Sequence, residues 1–150
     1  MRTFSSIDEF ADAAGQDLGE SGWTAIDQQR IDLFADATGD HQWIHVDPER
    51  SASGPFGRTI AHGFLTLSLL PVFHHEIYAV ENVTMAVNYG LDKVRFVAPV
   101  PEGARVRGRA VLDSTQRLDG AVQGVVTTTI EIEGGEKPAA VVTSIVRFFG

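Results

Sequence analysis

The chain has 150 residues, of which 43% are hydrophobic and 21% charged, a formal net charge of −8 and no cysteine. A chain of this length is one domain's worth and can bury a substantial core, and its composition excludes disorder and collagen-like repeats. The acidic balance runs against nucleic-acid binding, and the missing cysteines exclude disulfides, thiolate zinc sites and cysteine nucleophiles; a reducing compartment suits such a chain.

The N-terminal stretch MRTFSSIDEFADAAG carries Asp8, Glu9 and Asp12 and lacks the apolar centre of a signal peptide. The expectation is a cytoplasmic protein without a membrane segment. Ser6-Ile7-Asp8-Glu9 has the form of a capping box and predicts a short helix to about Gly15. A strand is expected near Trp23 to Ile26. Asp27 then caps a second helix, in which Ile31, Phe34, Ala35 and Thr38 recur at helical spacing and which Gly39 closes. Residues 40 to 61 read as loop, with at most a turn of helix after Pro48, punctuated by Gly54, Pro55 and Gly57.

Phe64 to Val80 is the most apolar stretch. Eleven of its seventeen residues are apolar, on all sides, which predicts a helix buried all round and kinked at Pro71. Pro71, His74, His75 and Glu76 make it too polar, and its length too short, to span a bilayer. From Thr84 onward the pattern is that of strands. Val106, Gly108, Ala110 and Leu112 alternate with Arg105, Arg107 and Arg109. Val122, Val126, Ile130 and Ile132 alternate with Gln123, Thr127, Thr129 and Glu131. Residues 139 to 149 make a third long apolar strand. Such alternation is antiparallel sheet with one solvated face. No repeat or linker divides the chain, so residues 1–150 read as a single α+β domain in which an antiparallel sheet wraps around the central apolar helix.

The densest chemical signal lies between residues 36 and 64. Asp40 and His45, five apart, would diverge on a helix or a strand, and only a loop aims both at one point. A carboxylate beside an imidazole is a usable acid–base pair near neutral pH. His62-Gly63 stand at the start of the apolar helix, where the first N–H groups lack intrahelical partners. An unobstructed Gly63 N–H there can bind a developing oxyanion.

The segments ATGDHQWIHVDP and GRTIAHGF resemble the signature of the MaoC-like, (R)-specific enoyl-CoA hydratases: Asp-x-Asn-x-x-His-x-Asp, a short spacer, then Ile-Ala/Val-His-Gly. KVRFVAPVPEGARV is similar to the strand and turn that follow in that family. The resemblance covers roughly residues 25 to 112 and is closest to the small single-hotdog members of actinobacteria. It implies a hotdog fold, a homodimer, and no metal or redox cofactor, coenzyme A being part of the substrate. It implies further that Asp40 and His45 activate the water added across the enoyl bond, either one taking the proton, and that the Gly63 N–H binds the thioester oxygen. Gln42 stands where the family commonly has Asn, a residue that orients the loop or contacts substrate. His62 belongs to the same pattern, with a role in shaping the loop.

Plainer readings stand beside these. Asp40 and His45 form an inert solvated pair, His41, His45 and Asp47 a metal site, or Gly63 only a tight turn. His74 and His75 read as surface or interface residues. Asn88-Tyr89-Gly90 is a strand-end turn or a substrate contact, and Trp43 and Phe56 are core residues or acyl-chain lining. Lys93, Arg95, Arg105, Arg107 and Arg109 make five of the twelve basic residues within seventeen positions. Together they read as a positive patch for the phosphates of coenzyme A, against the alternative of a solvated strand face. The leading expectation is hydration of a trans-2-enoyl-CoA to the (3R)-hydroxyacyl-CoA, or the reverse dehydration on an acyl carrier protein. The rivals are a hotdog thioesterase and a non-catalytic acyl-binding or dimerisation module.

Overall fold

A computed structural model describes all of residues 1–150. Arg2–Phe4 forms β1, and Ser6 then caps α1 (Ile7–Asp12) by accepting a hydrogen bond from the Glu9 N–H. The Glu9 carboxylate returns to the N–H and hydroxyl of Ser5 rather than to Ser6, so the predicted cap forms with its second bond moved by one residue. β2 (Asp17–Glu20) and β3 (Thr24–Ala25) both pair antiparallel with β6 (Arg105–Leu118). Asp27 caps α2 (Gln28–Thr38), and Gly39 ends it with φ 80°, the left-handed conformation that glycine adopts without strain.

The predicted loop from residue 40 holds more helix than expected. α3 (Trp43–Val46) is a single turn, and α4 (Pro48–Ala52) follows, capped by the Asp47 carboxylate. The single apolar helix expected over Phe64–Val80 is instead two, α5 (Gly63–Ser68) and α6 (Leu70–Ile77). The break falls at Leu69, whose N–H turns to the Thr66 carbonyl three residues back at 3.3 Å. Proline has no N–H to donate to the preceding turn, and in the first turn of a new helix none is missed. Tyr78–Val80 leaves the helix altogether to form β4, which pairs parallel with β1. This pairing with the N-terminal strand has no local signal in residues 78 to 80.

β5 (Met85–Phe96), β6, β7 (Ala121–Ile132) and β8 (Ala140–Phe149) build the sheet with β2, in the order β2-β6-β7-β8-β5. The alternation read from the sequence holds: Val106, Ala110, Leu112, Val122, Val126 and Ile130 are buried on the inner face. α6 lies against that face. His74, expected at the surface with His75, turns inward, and its Nε2 lies 2.9 Å from the Thr128 hydroxyl. Two glycines admit the helices. A Cβ on Gly108 would lie 2.8 Å from Cβ of Phe73, and one on Gly124 would lie 2.8 Å from the ring of Phe10. Both phenylalanines are fully buried.

Gly108→Ala forces α6 outward or Phe73 off its rotamer, so a loss of about 1–3 kcal/mol in unfolding free energy is expected. Denaturant titration reads this directly, and a variant as stable as the parent would show that the close approach is not structurally required.

Candidate active site

Gly39 turns the chain out of α2 and delivers Asp40. The Asp40 Oδ1 accepts a hydrogen bond from the Gln42 N–H at 3.3 Å, and the Gln42 carbonyl accepts one from the His45 N–H at 3.0 Å. This turn starts α3, and α3 carries His45 inward. His45 is therefore aimed by one turn of helix, not by the loop that the spacing suggested. The potential ligand atoms of Asp40, His45 and His62 all lie within 4.8 Å of one another.

The chemistry of His45 follows from one bond. Its Nδ1 lies 2.7 Å from the Ile60 carbonyl. A carbonyl only accepts, so Nδ1 carries the proton and Nε2 keeps its lone pair. Burial pulls the His45 pKa below the ordinary imidazole value. The Ile60 carbonyl opposes that shift, His62 adds to it, and the Asp40 carboxylate opposes it. The group is thus a neutral base at neutral pH.

His62 sits beneath this pair. It is 2% exposed, and its Nε2 donates to the Asp40 carbonyl at 2.9 Å. Its ring stacks on His45 with centroids 3.9 Å apart, and the Phe34 ring lies 4.9 Å away on an inclined plane. His62 is buried away from the cleft, and its bond ties the backbone of Asp40 to the start of α5. Its Nδ1 has no partner. The three side chains are close enough for a metal. However, the two rings are inclined by only 22°. Their in-plane lone pairs run side by side rather than converging as tetrahedral ligation needs. The alternative set of His41, His45 and Asp47 does not assemble, because His41 pairs with Asp36 at 2.9 Å and Asp47 caps α4.

His45 opens on a cleft of about 340 Å³, walled by Gly63, Thr66, Phe96, Pro99 and Ala139. Gly63 is the first residue of α5, so its N–H has no intrahelical acceptor. A Cβ there would press on the Phe96 ring at 3.2 Å. Phe56 lines the cleft, whereas Trp43 packs under the Arg50 guanidinium at 4.3 Å. Gln28 was not singled out in the sequence: its Nε2 donates to the His45 carbonyl at 2.7 Å and its Oε1 accepts from the Thr59 hydroxyl at 2.6 Å. Its Nε2 also donates to the Asp32 carboxylate one turn on, at 2.9 Å, a helical spacing that marks only a pair within α2, whereas the two bonds that bear on the site reach 17 and 31 positions away.

The remaining expected residues divide. Gln42 takes part through its backbone. Arg95 and Lys93 line a shallow hollow of about 550 Å³ that shares Phe96 and Val97 with the cleft. Asn88 lies inside β5, not at a strand end, and lines hollows farther along the central helices. Arg107 and Arg109 do not join the patch. Arg107 binds Glu131 at 2.7 Å and Glu20 at 2.8 Å, Arg109 binds Asp17 at 2.9 Å, and Arg105 is paired with Glu133. They stand on β6, three strand spacings or ~14 Å from β5. Charge counting along the sequence missed these acids because all four come from other strands or turns.

A tautomer-locked imidazole and a free helix N–H on an apolar cleft, with a carboxylate close to the imidazole, are equipment suited to acid–base chemistry, and the fold is of the hotdog class. Residues 9–134 match the MaoC like domain model. The chain belongs to the MaoC-like dehydratases and is a hydro-lyase. It is 59% identical over 149 residues to 3-hydroxyacyl-thioester dehydratase Z of Mycobacterium tuberculosis (strain ATCC 25618 / H37Rv), covering 99% of both chains. It is 53% identical over 138 residues to nodulation protein N of Rhizobium leguminosarum bv. viciae, covering 89% of this chain and 85% of that one. The (R)-hydratase from A. caviae involved in PHA biosynthesis shares the fold, with a TM-score of 0.68 over 89% of this chain and 94% of that one at 23% identity. No helix is long and apolar enough to cross a membrane.

The electrostatics predict an order of titration. His41, held protonated by its bond to Asp36, titrates above 6.5; His45 titrates below 6.5; and His74, pushed down to about 4 by burial, titrates last. Imidazole NMR across the pH range measures this, and His45 titrating at or above His41 would contradict the buried neutral tautomer.

Proposed function

We propose that the protein is an (R)-specific enoyl-CoA hydratase, adding water to a trans-2-enoyl-CoA to give the (3R)-hydroxyacyl-CoA and running in reverse as a 3-hydroxyacyl-thioester dehydratase. The observation that carries this proposal is His45, fixed by the Ile60 carbonyl with its Nε2 lone pair open beside the Asp40 carboxylate.

Water held between Asp40 and His45 gives a proton to Nε2 as its oxygen bonds to C3 of the enoyl group. The electron pair moves through the double bond to the thioester oxygen, which the Gly63 N–H stabilises as charge develops. The imidazolium, balanced by Asp40, then returns a proton to C2. The net change is one water added, and no step needs a metal or redox cofactor. The identity to a protein named as a 3-hydroxyacyl-thioester dehydratase supports the thioester class.

Lys93 and Arg95 form no salt bridge within the chain, unlike the arginines of β6, and their hollow adjoins the cleft at Phe96 and Val97. They receive the phosphates of coenzyme A or of a carrier protein's phosphopantetheine. β5 is the outermost strand of its sheet, and Met85, Leu91 and Phe96 along it are about half exposed, with Phe64 beside it 70% exposed. An apolar open edge of this kind favours a homodimer formed at β5. One domain over residues 1–150, acting in the cytoplasm, completes the proposal.

Crotonyl-CoA with purified protein tests the reaction through loss of enoyl-thioester absorbance, with a (3R)-specific dehydrogenase reading the product. Asp40→Asn and His45→Gln are each expected to lower kcat by about 10²-fold or more. Release of free thiol in place of hydration would make the protein a thioesterase, and full activity in both variants would leave it a binding module.

Charge reversal at Lys93 and Arg95 is expected to raise KM about tenfold with little change in kcat, whereas Arg109→Gln, in an exposed pair on β6, leaves KM unaltered. Equal effects at the two places would remove the phosphate assignment.

A further inference from the structure

We infer that Gln28 is a positioning residue for the base: its side-chain amide joins the two segments that fix the His45 imidazole and ties both to α2, the helix that delivers Asp40. This rests on the acid–base reading of the site proposed above and adds a residue to that site.

Hydrogen bonds fill the amide on both sides. Its Nε2 donates to the His45 carbonyl at 2.7 Å and to the Asp32 carboxylate at 2.9 Å, and its Oε1 accepts from the Thr59 hydroxyl at 2.6 Å. Chemistry sets this orientation. A carbonyl and a carboxylate only accept, so the nitrogen faces them and the oxygen is left for the hydroxyl. The His45 carbonyl belongs to the single turn of α3, whose last carbonyls have no donor within the helix, and Gln28 satisfies this one.

These bonds close a ring around the base. The Nδ1 of His45 binds the Ile60 carbonyl at 2.7 Å, the chain leads back one residue to Thr59, the Thr59 hydroxyl binds Gln28, and Gln28 binds the His45 carbonyl. Across the ring, the Ile60 N–H donates to the Ile44 carbonyl at 3.0 Å. Gln28 therefore adds a further link between the segment that carries the imidazole and the segment whose carbonyl selects its tautomer. Thr59 and His45 are buried, so a partner lost here is not readily replaced by water.

The place of Gln28 on α2 gives the link its consequence. Gln28 opens the helix and grips His45; Gly39 ends it, and Asp40 follows. Eleven residues at ~1.5 Å of rise make a stiff element ~16 Å long. Carboxylate and imidazole are thus both referred to one helix. A displacement of about 1 Å between such groups costs on the order of 10²-fold in rate. An imidazole loosened from Ile60 can also carry its proton on Nε2, and in that form it has no lone pair to take a proton from water.

The test uses the full-length protein and its Gln28→Met, Thr59→Val and Thr59→Ser variants. Gln28→Met keeps the length of the side chain and removes its hydrogen bonds. It is expected to lower kcat for crotonyl-CoA about tenfold or more with little change in KM, because Gln28 is not part of the cleft wall. Thr59→Val, which lacks the hydroxyl, is expected to lower kcat in the same way, and Thr59→Ser, which keeps it, to retain most of the parent's rate. Nitrogen NMR of the imidazole reads the tautomer: His45 of the parent carries its proton on Nδ1, and an Nε2–H form is expected to appear in Gln28→Met and Thr59→Val. Parental kcat in Gln28→Met, Thr59→Ser as impaired as Thr59→Val, or an unchanged tautomer would each overturn the inference. Should Gln28→Met fail to fold, the Thr59 pair supplies the same readouts. A parent that does not hydrate crotonyl-CoA defeats the hydratase reading alone, and the tautomer of His45 in the variants then decides the role of Gln28.

Discussion

The structure depends on how closely α6 can approach the sheet. Phe73 rests on Gly108, at a separation that no side chain at that position would allow, and Phe10 rests in the same way on Gly124. An antiparallel sheet with one apolar face needs a cover, and a sheet this close to its cover must curl around it. That approach places the central helices lengthwise under the sheet. It brings the start of α5 to one end of the sheet, beside Phe96 and Ala139, and leaves a hollow between α6 and the edge strand β5.

The electrostatics of the site are then settled by backbone carbonyls rather than by charges. Ile60 takes the proton-bearing Nδ1 of His45, and Asp40 takes the Nε2–H of His62 with its main-chain oxygen. Each bond joins segments far apart in the chain, and each fixes a ring orientation. The stacked rings hold each other in place, and burial lowers the His45 pKa so that the ring stays neutral. The outer face of the sheet works in the opposite manner. There Arg105, Arg107 and Arg109 stand in a row, each neutralised by an acid from another strand or turn. Of the five clustered basic residues, Lys93 and Arg95 form no salt bridge, and they line a hollow that shares Phe96 and Val97 with the cleft.

Much of this was legible residue by residue. Ser6, Asp27 and Gly39 mark helix ends because capping is a local bond between neighbours. The alternations from 105 to 113 and from 121 to 132 mark strands and their inner faces, because the pleat has a period of two. Asp40, His45 and Gly63 were singled out by residue type and context, and the structure places Asp40 close to His45 and lines one cleft with His45 and Gly63. Other features have partners too distant for any pattern to show. His74 turned inward because Thr128 was there to receive it. Tyr78–Val80 became a strand because β1 lay alongside. Gln28 was overlooked because the two partners that tie it to the site, the His45 carbonyl and the Thr59 hydroxyl, come from separate segments.

The sequence by itself therefore determined which segments could be helix or strand, which faces were apolar, and which residue types could carry acid–base chemistry. These are properties of single residues and of short spacings. Only the tertiary structure decided which nitrogen of His45 keeps its lone pair, which arginines are spent in ion pairs, and where the helix breaks. Those outcomes rest on hydrogen bonds, ion pairs and close packing between residues distant in the chain, and such contacts exist only once the sheet has closed around the helix.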